Sequence, residues 1–495
     1  MMPTAMRVLQ VAAEAAPLLK TGGLADVMGA LPAALVQQGA DARVLLPGFA
    51  SVLDALVGAR NVESLTAPWG GASSRLLTGR IDALGGIQAY VVQNDAMYRR
   101  VGGPYANAQA QPWPDNHRRF ALLSFAAVRL AAGADAAWQP QLLHGHDWHA
   151  GLMPTYLRHD AQAVRDGVRS VFTIHNLAYQ GLFDAAWFAE LGLPAAAWSI
   201  DGVEFHGKVS FMKAALQHAD AVTTVSPRYA EEVLGEAQGA GLNGVLAARA
   251  DGVHGILNGV DGAIWNPATD VHLAKPFSAE QPVGKAACKA ALQLALGLDI
   301  DAKALLFGVV SRLTEQKGLH LVQALVPEML ARGGQLVVLG SGDASMEQAF
   351  AALAQAHPGR IAFRIGFDEP LAHRIYAGID VVMVPSRFEP CGLTQLYGLA
   401  YGALPLVHRV GGLADTVVDV SLENLHDGSA TGFVFHEFTP DAARHALRRA
   451  FALRDRPAWW RRVRATAMQQ RFGWDVAARE YMALYRRLLR VNFDA

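Results

Sequence analysis

The chain has 495 residues, which is too long for one ordinary hydrophobic core and predicts two domains of roughly 200 or more residues each. Lys and Arg number 43 against 44 Asp and Glu, so no net charge draws the chain to nucleic acid or to an anionic membrane. The only cysteines are Cys288 and Cys391, which excludes a disulfide framework or a multi-cysteine zinc site and favours a reducing compartment.

Two apolar stretches could suggest targeting or membrane insertion, and both contain charges that argue against it. Glu14 interrupts the apolar segment 8–19, so a strand followed by a loop is predicted there in place of a signal peptide. Segment 120–138 contains Arg129 and Asp135, and such charges are costly inside a bilayer, so it is predicted to be a core helix. We therefore expect a cytoplasmic protein with neither a membrane nor a nucleic-acid partner.

The first predicted element is a strand over 6–13, followed by a glycine-rich turn and a helix over 24–38. Gly22 and Gly23 would let backbone N–H groups approach a ligand closely, and Lys20 adds a positive charge beside them. The pattern has the logic of a phosphate-binding loop, but it is neither a Walker loop nor a GxGxxG motif. A plain glycine turn is the alternative.

The next candidate region is the His- and Asp-containing segment 144–149, which follows a strand predicted to end at Leu143. A metal site would require these side chains to converge, whereas neighbouring side chains at a strand end usually diverge. Hydrogen bonding of Asp147 and His149 to a polar ligand is therefore preferred over metal binding.

Polar residues recur after the later strands of this half. Strands predicted over 170–174, 221–225 and 255–257 are followed by His175, Ser226 and Asn258. One such residue alone is more often a structural hydrogen-bonding group. Several at equivalent edges of a sheet favour a binding site.

A second series of alternating strands and helices follows a proline-containing linker over 263–285. Its strands are predicted over 305–310, 335–339, 361–365, 381–384 and 404–407. The last is followed by a GGLAD sequence at 411–415 that repeats the GGLAD of 22–26. The repeat is too short to prove duplication, but it places a glycine-rich strand-to-helix turn in each half.

The loop after strand 381–384 contains Glu389 and leads into a helix that opens at Gly392-Leu393-Thr394. Free N–H groups at a helix start favour an anion, and open α/β sheets bind ligands beyond the carboxyl ends of their strands. Alternatively, Glu389 only braces its loop through Arg387 or backbone amides.

These elements predict the α/β class, with two doubly wound Rossmann-like domains whose strand ends can face a central cleft. The limits are 1–265 for the N-terminal domain and 266–470 for the C-terminal domain. An amphipathic helix within 471–495 is expected to pack back on the N-terminal domain.

Six motifs together resemble those of bacterial glycogen synthases, from about residue 6 to 487: KTGGLAD at 20, HGHDWHAGL at 144, TIHNLAYQG at 173, ILNGVD at 256, SRLTEQKG at 311 and SRFEPCGLTQLYGL at 386. The family is similar to plant starch synthases and has the glycosyltransferase B fold. The resemblance implies transfer of glucose from ADP-glucose, with retention of configuration, to the non-reducing end of an α-1,4-glucan. It implies no metal and no other cofactor.

The same resemblance implies roles for individual residues. The Lys20 turn would contact the diphosphate and sugar of the donor, and Glu389 would grip glucose hydroxyls and offset oxocarbenium charge. Catalytic roles are expected for Glu389, His175, Arg312 and Lys317. Substrate-binding roles are expected for Lys20, Gly22, Gly23, Asp26, Asp147, His149, Asn258, Gly342, Phe367, Cys391, Gly392, Leu393 and Thr394.

Three positions depart from the family pattern. Many retaining relatives carry a second glutamate eight positions after the first, where this chain has Tyr397, as in the glycogen synthase branch. Phe367 replaces an expected adenine-stacking tyrosine, so stacking could survive while a hydroxyl contact is lost. Gly145 replaces a usual alanine, with little effect expected.

No protein nucleophile is obvious, which favours front-face transfer in which the departing diphosphate accepts the proton of the incoming glucan hydroxyl. Closure of the two domains on the donor is also expected, because Lys20 and Arg312 belong to different halves. The alternatives are a retaining transferase using UDP-glucose or another acceptor, and a non-catalytic glucan-binding protein. Homo-oligomerisation is left open.

Overall fold

The computed structural model describes residues 5–71 and 73–490. Residue contacts divide the chain into two compact units. The first comprises the residues up to Gly259 together with those from Trp474 onward, and the second runs from Val260 to Gly473. The sequence-based limits of 265 and 470 differ from these by a few residues, because the amide of Val260 already donates to the carbonyl oxygen of Phe472.

The first unit is built on a large sheet and a small side sheet. Their strands are β1 (Arg7–Val11), β2 (Asp41–Pro47), β3 (Leu56–Leu65), β4 (Ser74–Ile81), β5 (Ile87–Gln93), β6 (Leu142–His146), β7 (Arg169–Ile174), β8 (Leu182–Asp184), β9 (Glu204–Phe205), β10 (Lys208–Ser210), β11 (Ala221–Thr224) and β12 (Val253–Gly255). The nine-stranded sheet has the order β12-β11-β7-β6-β1-β2-β5-β4-β3, and β8, β10 and β9 form the side sheet.

Neighbouring strands of the large sheet are parallel from β12 through β5, whereas β4 is antiparallel to both β5 and β3. From the central strand β1 the chain first builds outward through β2 and later returns to the other side at β6. The order therefore reverses between β1 and β6. In an open α/β sheet, ligands bind beyond the carboxyl ends of the strands at such a reversal.

Helices connect these strands. They are α1 (Gly23–Gln37), α2 (Ala50–Asp54), α3 (Asp95–Tyr98), α4 (Asn116–Ala131), α5 (Met153–His159), α6 (Ala161–Arg165), α7 (Phe211–His218), α8 (Pro227–Glu232) and α9 (Asn243–Ala247). Short 3-10 helices span Asp82–Leu84, Trp148–Ala150, Ala185–Leu191 and Ala195–Ala197. The predicted core helix within 120–138 is α4, whose buried residues include Phe120 and Leu123.

The second unit has a six-stranded, wholly parallel sheet. Its strands are β13 (Leu306–Val310), β14 (Gln335–Gly340), β15 (Ile361–Ile365), β16 (Val381–Val384), β17 (Leu404–His408) and β18 (Phe433–Phe435). The order β15-β14-β13-β16-β17-β18 reverses between β13 and β16. This is the doubly wound arrangement of dinucleotide-binding folds, with its ligand position at the ends of β13 and β16.

The helices of the second unit lie between these strands and after the last of them. They are α10 (Val283–Leu296), α11 (Leu319–Ala331), α12 (Ala344–Ala356), α13 (Glu369–Gly378), α14 (Thr394–Ala400), α15 (Gly411–Thr416), α16 (Leu422–Asp427), α17 (Pro440–Arg454) and α18 (Pro457–Met468), with a 3-10 helix at Glu315–Lys317. Together, the two sheets confirm the prediction of two doubly wound α/β domains.

The last helix, α19 (Trp474–Arg490), belongs to the first unit. Its Ala478 and Tyr481 are buried in one cluster with Val27 and Leu31 of α1. The buried residues follow helical spacing, which is the amphipathic pattern that the sequence shows. The helix thus packs against α1, the helix that follows the glycine-rich turn.

Two local predictions are wrong, and one strand was missed. β6 continues through His146, whereas the sequence placed its end at Leu143, because the two histidines are buried and hydrogen-bonded inside the sheet. β12 ends at Gly255, so Asn258 lies in the following loop. The long edge strand β3 was not predicted, since few of its residues are buried and its apolar pattern is weak.

Candidate functional site

The reversal point of the second unit brings together a lysine and a glutamate that the sequence placed far apart. Lys317 follows β13 and Glu389 follows β16. The Lys317 Nζ lies 2.6 Å from the Glu389 Oε2, and the Ser386 hydroxyl donates to the same oxygen at 2.8 Å. Glu389 is only 7% exposed. A cation and an oriented carboxylate therefore lie together where this fold binds ligands.

The loop that carries Glu389 is braced by other parts of the chain. Arg387 pairs with Glu315 at 3.3 Å, and its backbone amide donates to the carbonyl oxygen of Gln316. The amide of Gly412 donates to the carbonyl oxygen of Glu389 at 3.1 Å. The Glu389 side chain therefore does not pair with Arg387, as one alternative had it; it is held by Lys317 and by Ser386 of its own loop.

Cys391, Gly392, Leu393 and Thr394 lie directly after Glu389 and lead into α14. Gly392 has φ +73°, which favours glycine, and a Cβ there would overlap the side chain of Gln395. Cys391 is buried and free of disulfides. Because α14 has only seven residues, its dipole is short, so we consider Lys317 the main source of positive potential here.

Tyr397, which stands where many relatives have a second glutamate, is buried in α14. Its ring stacks on Trp265 with the centroids 3.8 Å apart, and the other face of Trp265 stacks on His373 at 3.9 Å. Tyr397 therefore has a packing contact with Trp265, and no second carboxylate is available at this position.

Three further predicted residues follow β13, β14 and β15 and do not contact Glu389. Arg312 is exposed, and within the described part of the chain its side chain forms no ion pair or hydrogen bond. Gly342 has φ +158°, and a Cβ there would overlap the carbonyl of Leu313, so glycine is required by the backbone. Phe367 is 73% exposed.

In the first unit, the glycine-rich turn follows β1, at the reversal point of that sheet. Lys20 Nζ lies 2.7 Å from Asp26 Oδ1. Apart from the adjoining chain, no described atom lies within 4 Å of a Cβ built onto Gly22 or Gly23. Gly22 has an extended backbone, φ −160°, which any residue adopts. Neither packing nor strain therefore explains these two glycines, whereas a ligand lying over the turn would.

Asp147 follows β6, on the other side of the reversal. Its backbone has φ +55° and ψ 177°, a conformation that costs a non-glycine residue about 1–3 kcal/mol. One carboxylate oxygen accepts hydrogen bonds from the amides of His175 at 2.8 Å and Asn176 at 3.3 Å. Burial raises the pKa of the carboxyl to about 7, against the lowering effect of these amides.

His149 lies one short turn after Asp147 and stacks on Tyr105 with the ring centroids 4.5 Å apart. Burial lowers its pKa to about 3, so it is neutral at pH 7. Its buried Nδ1 has no hydrogen-bond partner among the described residues. Buried polar atoms are normally paired, so this nitrogen is available to a ligand hydroxyl.

Sequence reasoning missed two residues that connect the glycine-rich turn to His149. The Glu14 carboxylate accepts from the Thr21 amide at 2.6 Å and from the Tyr105 hydroxyl at 2.6 Å. In the sequence, Glu14 stands out only as a charge within an apolar segment. That charge was the signal by which it could have been found. Tyr105 offered none, because it lies 91 positions away in the chain.

His175 and Asn258 complete the strand-end residues of this unit. His175 Nε2 lies 3.0 Å from His146 Nδ1. Burial lowers the His175 pKa to about 3. Asn258 is 6% exposed, and its side-chain oxygen lacks a partner in the described segments. Asp147, His149 and His175 are thus connected by short segments and hydrogen bonds, with Asn258 following the outer strand β12.

Residues 5–71 and 73–490 contain no group of three or more His, Cys, Asp or Glu side chains arranged to hold a metal ion. None of the helices described for the chain has the length and apolar character needed to cross a membrane.

Two family models match the chain. Residues 7–248 match the model described as starch synthase catalytic domain, and residues 297–463 match glycosyl transferases group 1. Taken with the two reversal-point sites, these matches define a glycosyltransferase of the two-domain glycosyltransferase B class.

The full-length relatives define the family within that class. The chain is 52% identical over 489 residues to a glycogen synthase of Francisella tularensis subsp. novicida, covering 98% of this chain and 100% of that one. It is 55% identical over 491 residues to a glycogen synthase of Variovorax paradoxus, covering 98% and 99%. The chain belongs to the glycogen synthase family, as its motifs suggested.

Comparison with solved structures agrees with this fold and family. The catalytic domain of starch synthase IV from Arabidopsis thaliana, bound to ADP and acarbose, superimposes with a TM-score of 0.89 at 32% identity, covering 98% of this chain and 100% of that one. Sucrose-phosphate synthase from Thermosynechococcus elongatus has a TM-score of 0.58 at 18% identity over the same shares, which indicates the common fold alone.

Proposed function

We propose that this glycosyltransferase transfers glucose from ADP-glucose to the non-reducing end of an α-1,4-glucan, with retention of configuration and without a metal. The observation that carries the proposal is the Lys317–Glu389 pair, 2.6 Å apart at the strand ends of the second unit. The relatives named glycogen synthase support the glucan acceptor, and the relative bound to ADP supports an adenine nucleotide.

Breaking the sugar–phosphate bond places negative charge on the departing diphosphate, and fixed cations are an effective means of stabilising it. Lys317 is oriented for this task by Glu389, and exposed Arg312 provides a second cation after the same strand. The Glu389 carboxylate accepts hydrogen bonds from glucose hydroxyls and offsets positive charge at the anomeric carbon. In the first unit, the open Gly22 and Gly23 leave space for the donor.

The first unit supplies polar groups that can pair with sugar hydroxyls. His149 Nδ1 and the Asn258 side-chain oxygen are buried without partners in the described part of the chain, and each can pair with a hydroxyl group. Asp147, with its pKa near 7, adds a carboxyl group that can accept as an anion or donate as an acid. Sugar hydroxyls both donate and accept, so this mixture is chemically suited to them.

The transfer itself follows a front-face course. The bond from the anomeric carbon to the diphosphate oxygen breaks, the bond to the acceptor hydroxyl oxygen forms on the same face, and the hydroxyl proton passes to the diphosphate oxygen. Tyr397 supplies no second carboxylate that could act as a nucleophile. Capture of a covalent glucosyl-enzyme would overturn this course.

The experiment supplies purified protein with ADP-glucose or UDP-glucose and glycogen, in EDTA and in added Mg²⁺. Nucleotide release and glucose incorporation are measured, and NMR of the product reports the configuration of the new linkage. The proposal expects equal release and incorporation from ADP-glucose, an α-linkage, and the same rate in EDTA. A preference for UDP-glucose would change the donor, and glycogen binding without turnover would favour a non-catalytic protein.

A further inference from the structure

A chain of buried hydrogen bonds connects the C-terminal helix α19 to His175, and the proposed function uses none of its interior members. Gln10 is in β1, His144 and His146 are in β6, and Tyr485 is in α19. All four are 0% exposed. A buried polar network of this size is costly unless every member is satisfied, so its arrangement calls for an explanation.

One branch runs from Tyr485 to His175. The Gln10 amide nitrogen donates to the Tyr485 hydroxyl at 3.1 Å, and the Gln10 carbonyl oxygen lies 2.7 Å from His146 Nε2. His146 Nδ1 lies 3.0 Å from His175 Nε2. Four side chains from four separate segments of the sequence therefore form one continuous series.

The other branch satisfies the remaining proton of Tyr485. His144 Nδ1 lies 2.7 Å from the Tyr485 hydroxyl, and His144 Nε2 lies 2.6 Å from the Thr173 hydroxyl. The Tyr485 oxygen accepts from Gln10, and among the described residues His144 Nδ1 is the other side-chain atom within hydrogen-bond distance, so the single Tyr485 proton goes to that nitrogen. His144 then donates from Nε2 to Thr173, whose hydroxyl contacts that of Thr223.

The protonation of each histidine follows from these contacts. Burial lowers the pKa of His144 and His175 to about 3 and that of His146 well below its usual value, so each ring carries one proton at pH 7. A carbonyl oxygen only accepts, so His146 holds its proton on Nε2 and accepts on Nδ1. His175 must then donate from Nε2, which leaves its Nδ1 as a bare acceptor.

We propose that Tyr485 is a positioning residue for His175: its hydroxyl orients the Gln10 amide, which through His146 fixes the His175 tautomer with an unprotonated Nδ1. Within the described chain, no side chain or backbone group pairs with that nitrogen. It is therefore free to accept a hydrogen bond from a substrate hydroxyl. This last step rests on the proposed function, whereas the tautomer does not.

The test combines Tyr485→Phe with two companion variants. Tyr481→Phe is the matched control, because Tyr481 lies one turn earlier on the same helix, is 1% exposed, and is not a member of the series from Tyr485 to His175. Gln10→Met removes the next member of the series and keeps Tyr485. If Tyr485→Phe does not fold, Gln10→Met tests the same connection.

Two readouts are needed. Nitrogen NMR of histidine-labelled, ligand-free protein reports which ring nitrogen of His175 is protonated, with the signal assigned by loss in His175→Gln. Steady-state kinetics with ADP-glucose and glycogen give kcat and KM. The NMR readout requires no turnover, so a failure of the proposed function and a failure of this inference are distinguished.

We expect wild-type His175 to show protonated Nε2 and bare Nδ1. In Tyr485→Phe and Gln10→Met the signal should shift toward mixed tautomers, with kcat reduced about tenfold and KM changed less. The double variant should lose no more than either single variant, because both break one series. Tyr481→Phe should match the wild type in both readouts.

Several outcomes would overturn the proposal. A protonated Nδ1 in wild-type His175 would do so whatever the activity. Unchanged His175 signals in Tyr485→Phe would do so even if kcat fell, because the loss would then come from elsewhere. A tautomer shift at unchanged kcat would remove the positioning role, and equal effects of Tyr481→Phe would show that the Tyr485 hydroxyl is not specific.

Discussion

The same five residues, GGLAD, form the turn at 22–26 in the first unit and the turn at 411–415 in the second. In the first, apart from the adjoining chain, the Cβ positions of both glycines have no described atom within 4 Å. In the second, a Cβ on Gly411 would overlap the carbonyl oxygen of Glu389, and one on Gly412 would overlap that of Cys391. Identical sequence thus leaves open space in one place and is closely packed in the other.

A turn can need a glycine for the fold or for a ligand, and the two turns differ in this respect. Gly411 has φ +42° and packs against the loop that carries Glu389, so both its conformation and its size serve the fold. Gly22 is extended and borders open space, so only a ligand would require its small size. A turn motif alone does not reveal its role, whereas the atoms around it do.

The largest expected effect falls on the residue that the second turn holds in place. Glu389→Gln keeps the shape of the side chain but removes its charge, and we expect kcat for glucose transfer to fall by about 10²–10³. The matched control is Glu315→Gln, which changes an exposed glutamate paired with Arg387 in the same region. Retention of more than about a tenth of the wild-type kcat in Glu389→Gln would contradict the site assignment.

The second-largest effect is expected from a change in the packing of the second turn. Gly412→Ala forces a methyl group onto the backbone of Cys391, so we expect the free energy of unfolding to fall by about 1–3 kcal/mol. Urea unfolding measures this loss. The counterpart Gly23→Ala, at the same motif position, should unfold like the wild type. Equal losses in the two variants would remove the contrast between the turns.

A smaller, pH-dependent effect is expected at Asp147, near the first turn. Its pKa is raised from 3.8 to about 7 in the folded protein, so folding favours the protonated form. The contribution of Asp147 to the free energy of unfolding of the wild type should therefore fall as the pH rises from about 4 to 7. Above pH 7 it should stay constant. Each unit of pKa difference corresponds to about 1.4 kcal/mol.

Asp147→Asn has no such proton, so its unfolding free energy relative to the wild type should rise between pH 5 and 7 and then level off. Urea unfolding at several pH values measures it. Asp147→Gly should also relieve the backbone strain at φ +55°, which raises the free energy of unfolding further. It should lose activity as the Asn variant does. A difference between wild type and Asn variant that is independent of pH would contradict the raised pKa.

The smallest effect concerns the cysteines, one of which follows Glu389. Cys288 and Cys391 are each 4% exposed. A thiol reagent should therefore find two reactive groups after unfolding and almost none in the folded protein, with activity retained. Rapid reaction of one thiol with loss of activity would show that the packing around the second turn opens readily.

Much of the fold and part of the site could be predicted from sequence. Apolar runs followed by polar residues identified most strands, and parallel strands place their carboxyl ends at one edge. Glu389 and Asp147 were found in this way. Their roles remain predictions, since a position at a strand end does not establish chemistry.

The rest depended on contacts that no local pattern encodes. β6 continues through His144 and His146 because Tyr485 and Gln10, distant in sequence, satisfy their nitrogens. The link from Glu14 to Tyr105 likewise joins segments 91 positions apart. Local periodicity suggests that polar residues end a strand, but buried partners can keep them inside it.

The most direct measurement of the contrast between the two turns is ADP binding by Gly22→Ala, by titration calorimetry, beside its free energy of unfolding. The methyl group enters the open space over the first turn, so we expect wild-type stability with ADP bound about tenfold more weakly, or roughly 1.4 kcal/mol. Wild-type ADP affinity in this variant, or a loss of stability without a loss of affinity, would contradict a ligand-binding role for the first turn.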